Sequence, residues 1–116
     1  MAESPMTTGV HEIVGKTATK AISAGTTIEL TSITIPNKGS RWLVLTVVNM
    51  DFSATGTMNN EMYINGGRRV TRTTQTNGGG CINYAIVNPG DTISLQAYIT
   101  QASGNATGLI QAFCIY

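Results

Sequence analysis

The sequence predicts an all-β fold, an antiparallel jelly-roll type of sandwich, from three observations. Short runs alternate apolar and polar side chains with a period of two, clusters of Gly, Asn and Pro separate those runs, and no stretch carries a convincing helical period. At 116 residues the chain is expected to form one domain around one modest core. Charged residues make up 11% of it and the net charge is +1, so neither nucleic acid nor an anionic membrane is expected as the main partner. No apolar run approaches the roughly 18 residues of a membrane span. Met1 to Pro5 lacks the basic and apolar regions of a signal peptide, so a soluble, unprocessed chain is expected.

Residues 1–20 mix Gly, Thr, Ser and Lys with little periodicity and read as an arm or linker, leaving 21–116 as the folded domain. Ile28 and Leu30 then alternate, followed by Ile33 and Ile35 in the opposite phase, which predicts a bulge near Thr31-Ser32. Pro36-Asn37-Lys38-Gly39 ends this strand. Arg41 to Phe52 gives the strongest strand signal: Trp42, Val44, Val48, Met50 and Phe52 share one face, Leu43, Leu45 and Val47 the other. A polar link from Ser53 to Asn60 leads to a short strand, Glu61 to Asn65, and Asn65-Gly66-Gly67 is a hairpin turn whose residues tolerate positive φ. Arg68 to Thr74 is rich in β-branched residues, and Thr76 to Gly80 is a loop by composition. Ile82, Tyr84 and Ile86 alternate up to Asn88-Pro89-Gly90-Asp91, where proline presets φ and glycine takes the positive φ of a type II turn. Ile93, Leu95, Ala97 and Ile99 alternate beyond it, so the pair is expected to be a hairpin. A second polar loop, Thr100 to Thr107, precedes the closing strand, Leu109 to Tyr116.

The strands at 41–52 and 109–116 are apolar on both faces. A two-layer sandwich covers only one face of each strand, so a further surface must cover these two. Either another copy of the chain or loops folded over the outside would serve, and the first is the economical expectation for a chain this small.

The run I-T-I-P-N-K-G-S-R-W-L-V-L-T-V-V-N-M-D-F (Ile33 to Phe52), the I-N-G-G turn at Ile64 to Gly67, P-G-D-T-I-S-L-Q-A (Pro89 to Ala97) and the closing I-Q-A-F-C-I-Y (Ile110 to Tyr116) resemble, in order and spacing, the C1q and tumour-necrosis-factor-like jelly rolls. The resemblance covers about three quarters of the chain and implies a ten-strand jelly roll in a tight homotrimer, with the closing strand near the threefold axis. Leu43, Leu45, Val47, Tyr98, Phe113 and Tyr116 are then the expected trimer interface. The Thr-, Asn- and Gly-rich, nearly uncharged composition is most similar to C1q-like head domains of bacteriophage tail fibres, baseplates and head fibres, which implies a virion-surface protein. Neither a collagen-like stalk nor an acidic cluster accompanies it, so no metal and no cofactor is expected.

Residues for catalysis are sparse, and no enzymatic activity is expected. His11 is the single histidine and lies in the arm. Of six scattered acidic residues, Asp51 and Glu61 could meet at a rim as a glycosidase pair would, but nothing in their spacing favours that, and two solvated side chains are expected. Gly78-Gly79-Gly80 lacks the lysine and helix of a phosphate loop. Cys81 and Cys114 read as small apolar residues, with a single bridge between them left open. For binding, Arg68, Arg69 and Arg72 place three cations within five residues, suited to carboxylated sugars or phosphate polymers if they face outward, or else forming a solvated strand face. Asn77 and Asn105, in loops presented by a rigid scaffold, are the matching candidates for sugar hydroxyls. The function expected is attachment of a phage-like virion to a host-surface glycan or protein. Structural decoration of a capsid, anchored by the arm and working through capsid or tail partners, is the alternative.

Overall fold

The computed structural model describes residues 13–50, 56–76, 80–100 and 104–116, with the backbone alone for 68–76. Eight strands follow in order: β1 (Ile13–Ile22), β2 (Thr27–Thr34), β3 (Trp42–Met50), β4 (Gly56–Ile64), β5 (Gly67–Thr76), β6 (Gly80–Val87), β7 (Thr92–Ile99) and β8 (Gly104–Cys114). They form two four-stranded antiparallel sheets, β1-β8-β3-β6 and β2-β7-β4-β5. Most successive strands cross from one sheet to the other, the interleaved order of an eight-strand jelly roll. Ten strands were expected; eight are present among the described residues.

The two inner faces supply the core. Trp42, Val44, Val48 and Met50 from β3 and Ile110, Ala112 and Cys114 from β8 pack toward Met58 and Met62 of β4 and Ile93, Leu95, Ala97 and Ile99 of β7. The residues that share each face of β3 and β7 are those the alternation groups together. In β2 the register shifts between Glu29 and Thr31, so the bulge falls at Leu30, one residue before its predicted place. Both Leu30 and Thr31 are thereby buried, which explains why the apolar phase flips.

Three boundaries differ from the sequence reading. Residues 13–20 are no arm: β1 pairs with β8 from Ile13↔Phe113 to Ile22↔Gly104 as an edge strand. Its periodicity is obscured because Lys16 and Lys20 occupy core-facing register positions, opposite the buried Ile110 and Ala106. At an edge a lysine stem can run past the last strand and keep its ammonium wet; both side chains are exposed, and Lys20 Nζ donates to the Glu29 carbonyl at 3.0 Å. Second, β4 begins at Gly56, inside the stretch read as a link, and β8 begins at Gly104, inside the second polar loop. Third, Asn88-Pro89-Gly90-Asp91 does not close a hairpin. β6 pairs with β3 while β7 pairs with β2 and β4, so this turn is a corner between the sheets. Gly90 takes φ 85°, as the turn requires, and its N–H donates to the Ile35 carbonyl while Ile35 N–H donates to Asp91 O, docking the corner onto the end of β2. The true hairpin is β4-β5, where Asn65 (φ 53°) and Gly66 (φ 86°) form the two-residue, positive-φ turn that Asn-Gly predicts.

One polar cluster ties the sheets together. Asn60 of β4 is fully buried; its Nδ2 donates to the carbonyls of Thr46 and Cys81, both at 3.0 Å, and its Oδ1 accepts from Thr46 Oγ1 at 3.1 Å. Asn83 of β6 donates in turn to the Asn60 carbonyl at 3.3 Å and accepts from the Tyr84 N–H at 3.1 Å.

Candidate functional site

The outer faces of the two sheets differ in chemistry. On the β1-β8-β3-β6 sheet the register aligns Ile13, Phe113, Leu43 and Ile86 in one row, Gly15, Gln111, Leu45 and Tyr84 in the next, and Thr17, Leu109, Val47 and Ile82 in a third. Leu43, Leu45, Val47, Leu109 and Phe113 are half-buried. Ile13 (56%), Ile82 (58%), Tyr84 (60%) and Ile86 (52%) are open to solvent, and Tyr116 (71%) stands at the end of the same face. There Arg41, Ile86, Ile115 and Tyr116 line a shallow hollow of about 310 Å³.

Ile82, Tyr84 and Ile86, the alternating residues that mark this strand, stand on its outer face. A period of two says that alternate residues share a face, not which face is dry. Here Cys81, Asn83 and Val87 point inward, and Asn83 is satisfied there by its bonds to Asn60 and Tyr84.

Of the expected interface, Leu43, Leu45, Val47, Phe113 and Tyr116 lie on or beside this apolar face. Tyr98 does not: it belongs to β7, on the outer face of the opposite sheet, and cannot join the same patch. That second face is polar. Its register sets Asn59, Tyr98 and Thr27 in one row, Glu61, Gln96 and Glu29 in the next, and Tyr63, Ser94 and Ser32 in a third. Glu61 is 4% exposed, with Oε1 accepting from Tyr63 OH at 3.2 Å and Oε2 accepting from Asn59 Nδ2 at 3.4 Å. Ser94 Oγ donates to Glu29 Oε1 at 2.6 Å, and Gln96 Nε2 donates to Ser94 Oγ at 3.3 Å.

The arginines are placed by backbone only. Arg68 stands opposite Tyr63 and Arg72 opposite Asn60, with Arg69 at the register shift between them. The run therefore does not form one regular alternating face. Asn77 and Asp51 lie outside the described residues, as does His11, and Asn105 is an exposed residue of β8 opposite Ala21, in a strand and not a loop. Cys81 and Cys114 are buried, and neither is in a disulfide. They stand opposite Val48 and Trp42 of β3, six residues or about 20 Å apart along the sheet, so no bridge joins them.

At the end of the sandwich, Ile64, Asn65, Ala85, Ile86, Val87, Asn88 and Asp91 surround a hollow of about 380 Å³. Asn65 Nδ2 donates to Asp91 Oδ1 and Asn65 Oδ1 accepts from Thr92 N–H, each at 2.9 Å, so the corner and the hairpin brace one another. Among the described residues no three His, Cys, Asp or Glu side chains gather as a metal-holding group. No helix among them is long and apolar enough to cross a membrane.

No family model and no curated protein matches the sequence. Among solved structures the chain is similar to the VP2 subviral particle of infectious bursal disease virus, with a TM-score of 0.60 and 15% identity over 90% of this chain and 33% of that one. It is similar also to the Gx strain of that virus (TM-score 0.57, 15% identity, 90% and 33% covered). A family 35 carbohydrate-binding module from Clostridium thermocellum matches with a TM-score of 0.52 and 11% identity, over 90% of this chain and 99% of the module. The chain spans about a third of the length of the viral proteins. What is shared at these identities is the fold, a jelly-roll sandwich found in a viral capsid protein and in a carbohydrate-binding module. The narrower likeness to C1q-like trimers and phage fibres rests on the sequence motifs.

Proposed function

We propose that this chain is a non-enzymatic virion-surface module that assembles as a homotrimer through the outer face of the β1-β8-β3-β6 sheet and holds the particle to a host-surface glycan or protein. The observation that carries the reading is the contrast between the two outer faces. Five open apolar side chains at about 60% exposure and roughly 200 Å² apiece present on the order of 600 Å², before the half-buried row is counted. That reaches the upper end of the largest apolar patch of ordinary monomers and approaches the roughly 800 Å² each partner contributes to a standard interface. The opposite face, hydrogen-bonded and polar, is the one an assembled particle would turn outward. The fold likeness to a capsid protein also fits a decoration protein, whose partner would be the capsid itself.

Light scattering tests the assembly. The intact chain is expected at three times its 12.2 kDa mass. Tyr84→Asp, which buries a carboxylate in the proposed contact, is expected to give monomer, while Tyr98→Asp on the other face keeps the trimer. A wild-type monomer refutes the reading. Attachment and decoration separate on incubation with intact host cells and with empty capsids: retention on cells favours the first, retention on capsids alone the second.

A further inference from the structure

From the polar outer face of the β2-β7-β4-β5 sheet we infer a binding platform for a neutral glycan, built by Tyr63, Asn59, Gln96, Ser94 and Tyr98 around the buried Glu61. The inference rests on the surface-attachment reading above and names its ligand.

An ordinary solvated sheet face carries long, mobile side chains. The outward positions of β2, β4 and β7 instead read Thr27, Glu29, Ser32 and Thr34; Thr57, Asn59, Glu61 and Tyr63; Thr92, Ser94, Gln96 and Tyr98. Tyr, Ser, Thr, Asn and Gln dominate, with no lysine or arginine among these twelve. That is the composition of recognition surfaces, because tyrosine gives large rigid contact area for two torsions and short polar side chains adapt their hydrogen bonds. The side chains are also already ordered. The Glu61 carboxylate, 4% exposed, accepts from both Tyr63 OH and Asn59 Nδ2 and so fixes the ring and the amide flanking it on β4. Ser94 bridges Gln96 to Glu29 beside them. A ligand meeting this face loses little further side-chain entropy.

Geometry sets the ligand's form. Tyr63 and Tyr98 lie on neighbouring strands, offset by four residues, because Tyr98 pairs with Asn59. The two rings are therefore rooted about 14 Å apart along the face, with the Gln96 amide between them. That spacing suits an extended chain of sugars, stacking pyranose faces at two points and offering hydroxyls to the amide and hydroxyl groups between. Charge sets its class: the exposed Glu29 stands beside Gln96 in one row, which opposes a polyanion and favours hydroxyl-rich, uncharged rings. Arg68 stands opposite Tyr63 at the margin of the face, so an anionic probe is the informative contrast.

The test is a nitrogen-15 NMR titration of the intact chain with cellohexaose, maltohexaose, xylohexaose and chitin hexasaccharide as neutral probes and hexagalacturonate as the anionic one. At least one neutral probe is expected to shift the side-chain amide signals of Gln96 and Asn59 saturably. About tenfold weaker binding is expected in Tyr63→Ala and in Gln96→Ala, the second removing only a half-exposed amide should the first disturb the sheet. The Tyr84→Asp variant is expected to bind as the wild type, which keeps the glycan site separate from assembly. Absence of a shift with all four neutral probes, equal affinity in both alanine variants, preference for hexagalacturonate, or loss of binding in Tyr84→Asp would each overturn the inference.

Discussion

Replacing Asn60 by alanine removes the side chain that fastens the two sheets. Three hydrogen bonds go with it, two donated to the Thr46 and Cys81 carbonyls and one accepted from the Thr46 hydroxyl. At about 1 kcal/mol net for each, with a further 1–2 kcal/mol for the Thr46 hydroxyl left dry and unpaired, the loss is about 4–5 kcal/mol. A domain of this size is stable by only about 5–15 kcal/mol, so the variant should sit near its limit. Trp42, the single tryptophan and fully buried, reports the transition by fluorescence during urea denaturation. Comparisons belong at one protein concentration, since the proposed assembly would add stability by mass action. The partner variant Thr46→Val should cost about 1–2 kcal/mol alone, because it strands only the Asn60 acceptor. Thr46→Val combined with Asn60→Leu should cost less than the sum of the separate changes by about 1–2 kcal/mol, as the unpaired groups vanish together. If Asn60→Ala costs under about 1 kcal/mol, or the double variant is strictly additive, the cluster is incidental to the fold.

Gly39→Ala should loosen the C-terminus and lower stability by about 2 kcal/mol or more. Gly39 sits at φ 65°, and an added Cβ would collide with the Tyr116 carbonyl and come within 2.8 Å of Cys114 Sγ; thermal melts and amide exchange at Ser40, which donates to Tyr116 O, would show it. The thiols of Cys81 and Cys114 should react with dithiobis(nitrobenzoate) only on unfolding, both at once, since each is buried and outside any disulfide; reaction in the native protein at the rate of a model thiol would contradict that burial.

The strands with unambiguous patterns were legible. Trp42, Val44, Val48 and Met50 against Leu43, Leu45 and Val47 marked both faces of β3, and Asn65-Gly66 marked the β4-β5 hairpin, because these features depend on neighbours in sequence. What alternation could not convey was the side of the sheet facing water. The alternation of Ile82, Tyr84 and Ile86 marks a strand without giving its dry side, and only the pairing of Asn83 with Asn60 across the sandwich shows why the polar residue went inside. Strand β4 was foreshortened for the same reason: Asn59 and Asn60 look like a link until Asn60 is seen to be buried with its bonds made. For Tyr98, the deciding fact is which sheet β7 enters, and the Pro-Gly-Asp turn signals a reversal without distinguishing a hairpin from a corner. The polar platform had no signal as a unit, since its residues come from strands separated by more than twenty positions and meet only through register.

Lys16 and Lys20 bear on what this protein does at high local concentration. A newcomer strand pairing alongside β1 would extend the sandwich interior over both ammonium groups and strip them of water, at a penalty backbone pairing would not repay. The sheet is therefore barred from growing endlessly by stacking strand on strand at that margin, the route that leads to amyloid. Contact through a face, as in the proposed trimer, is finite by comparison.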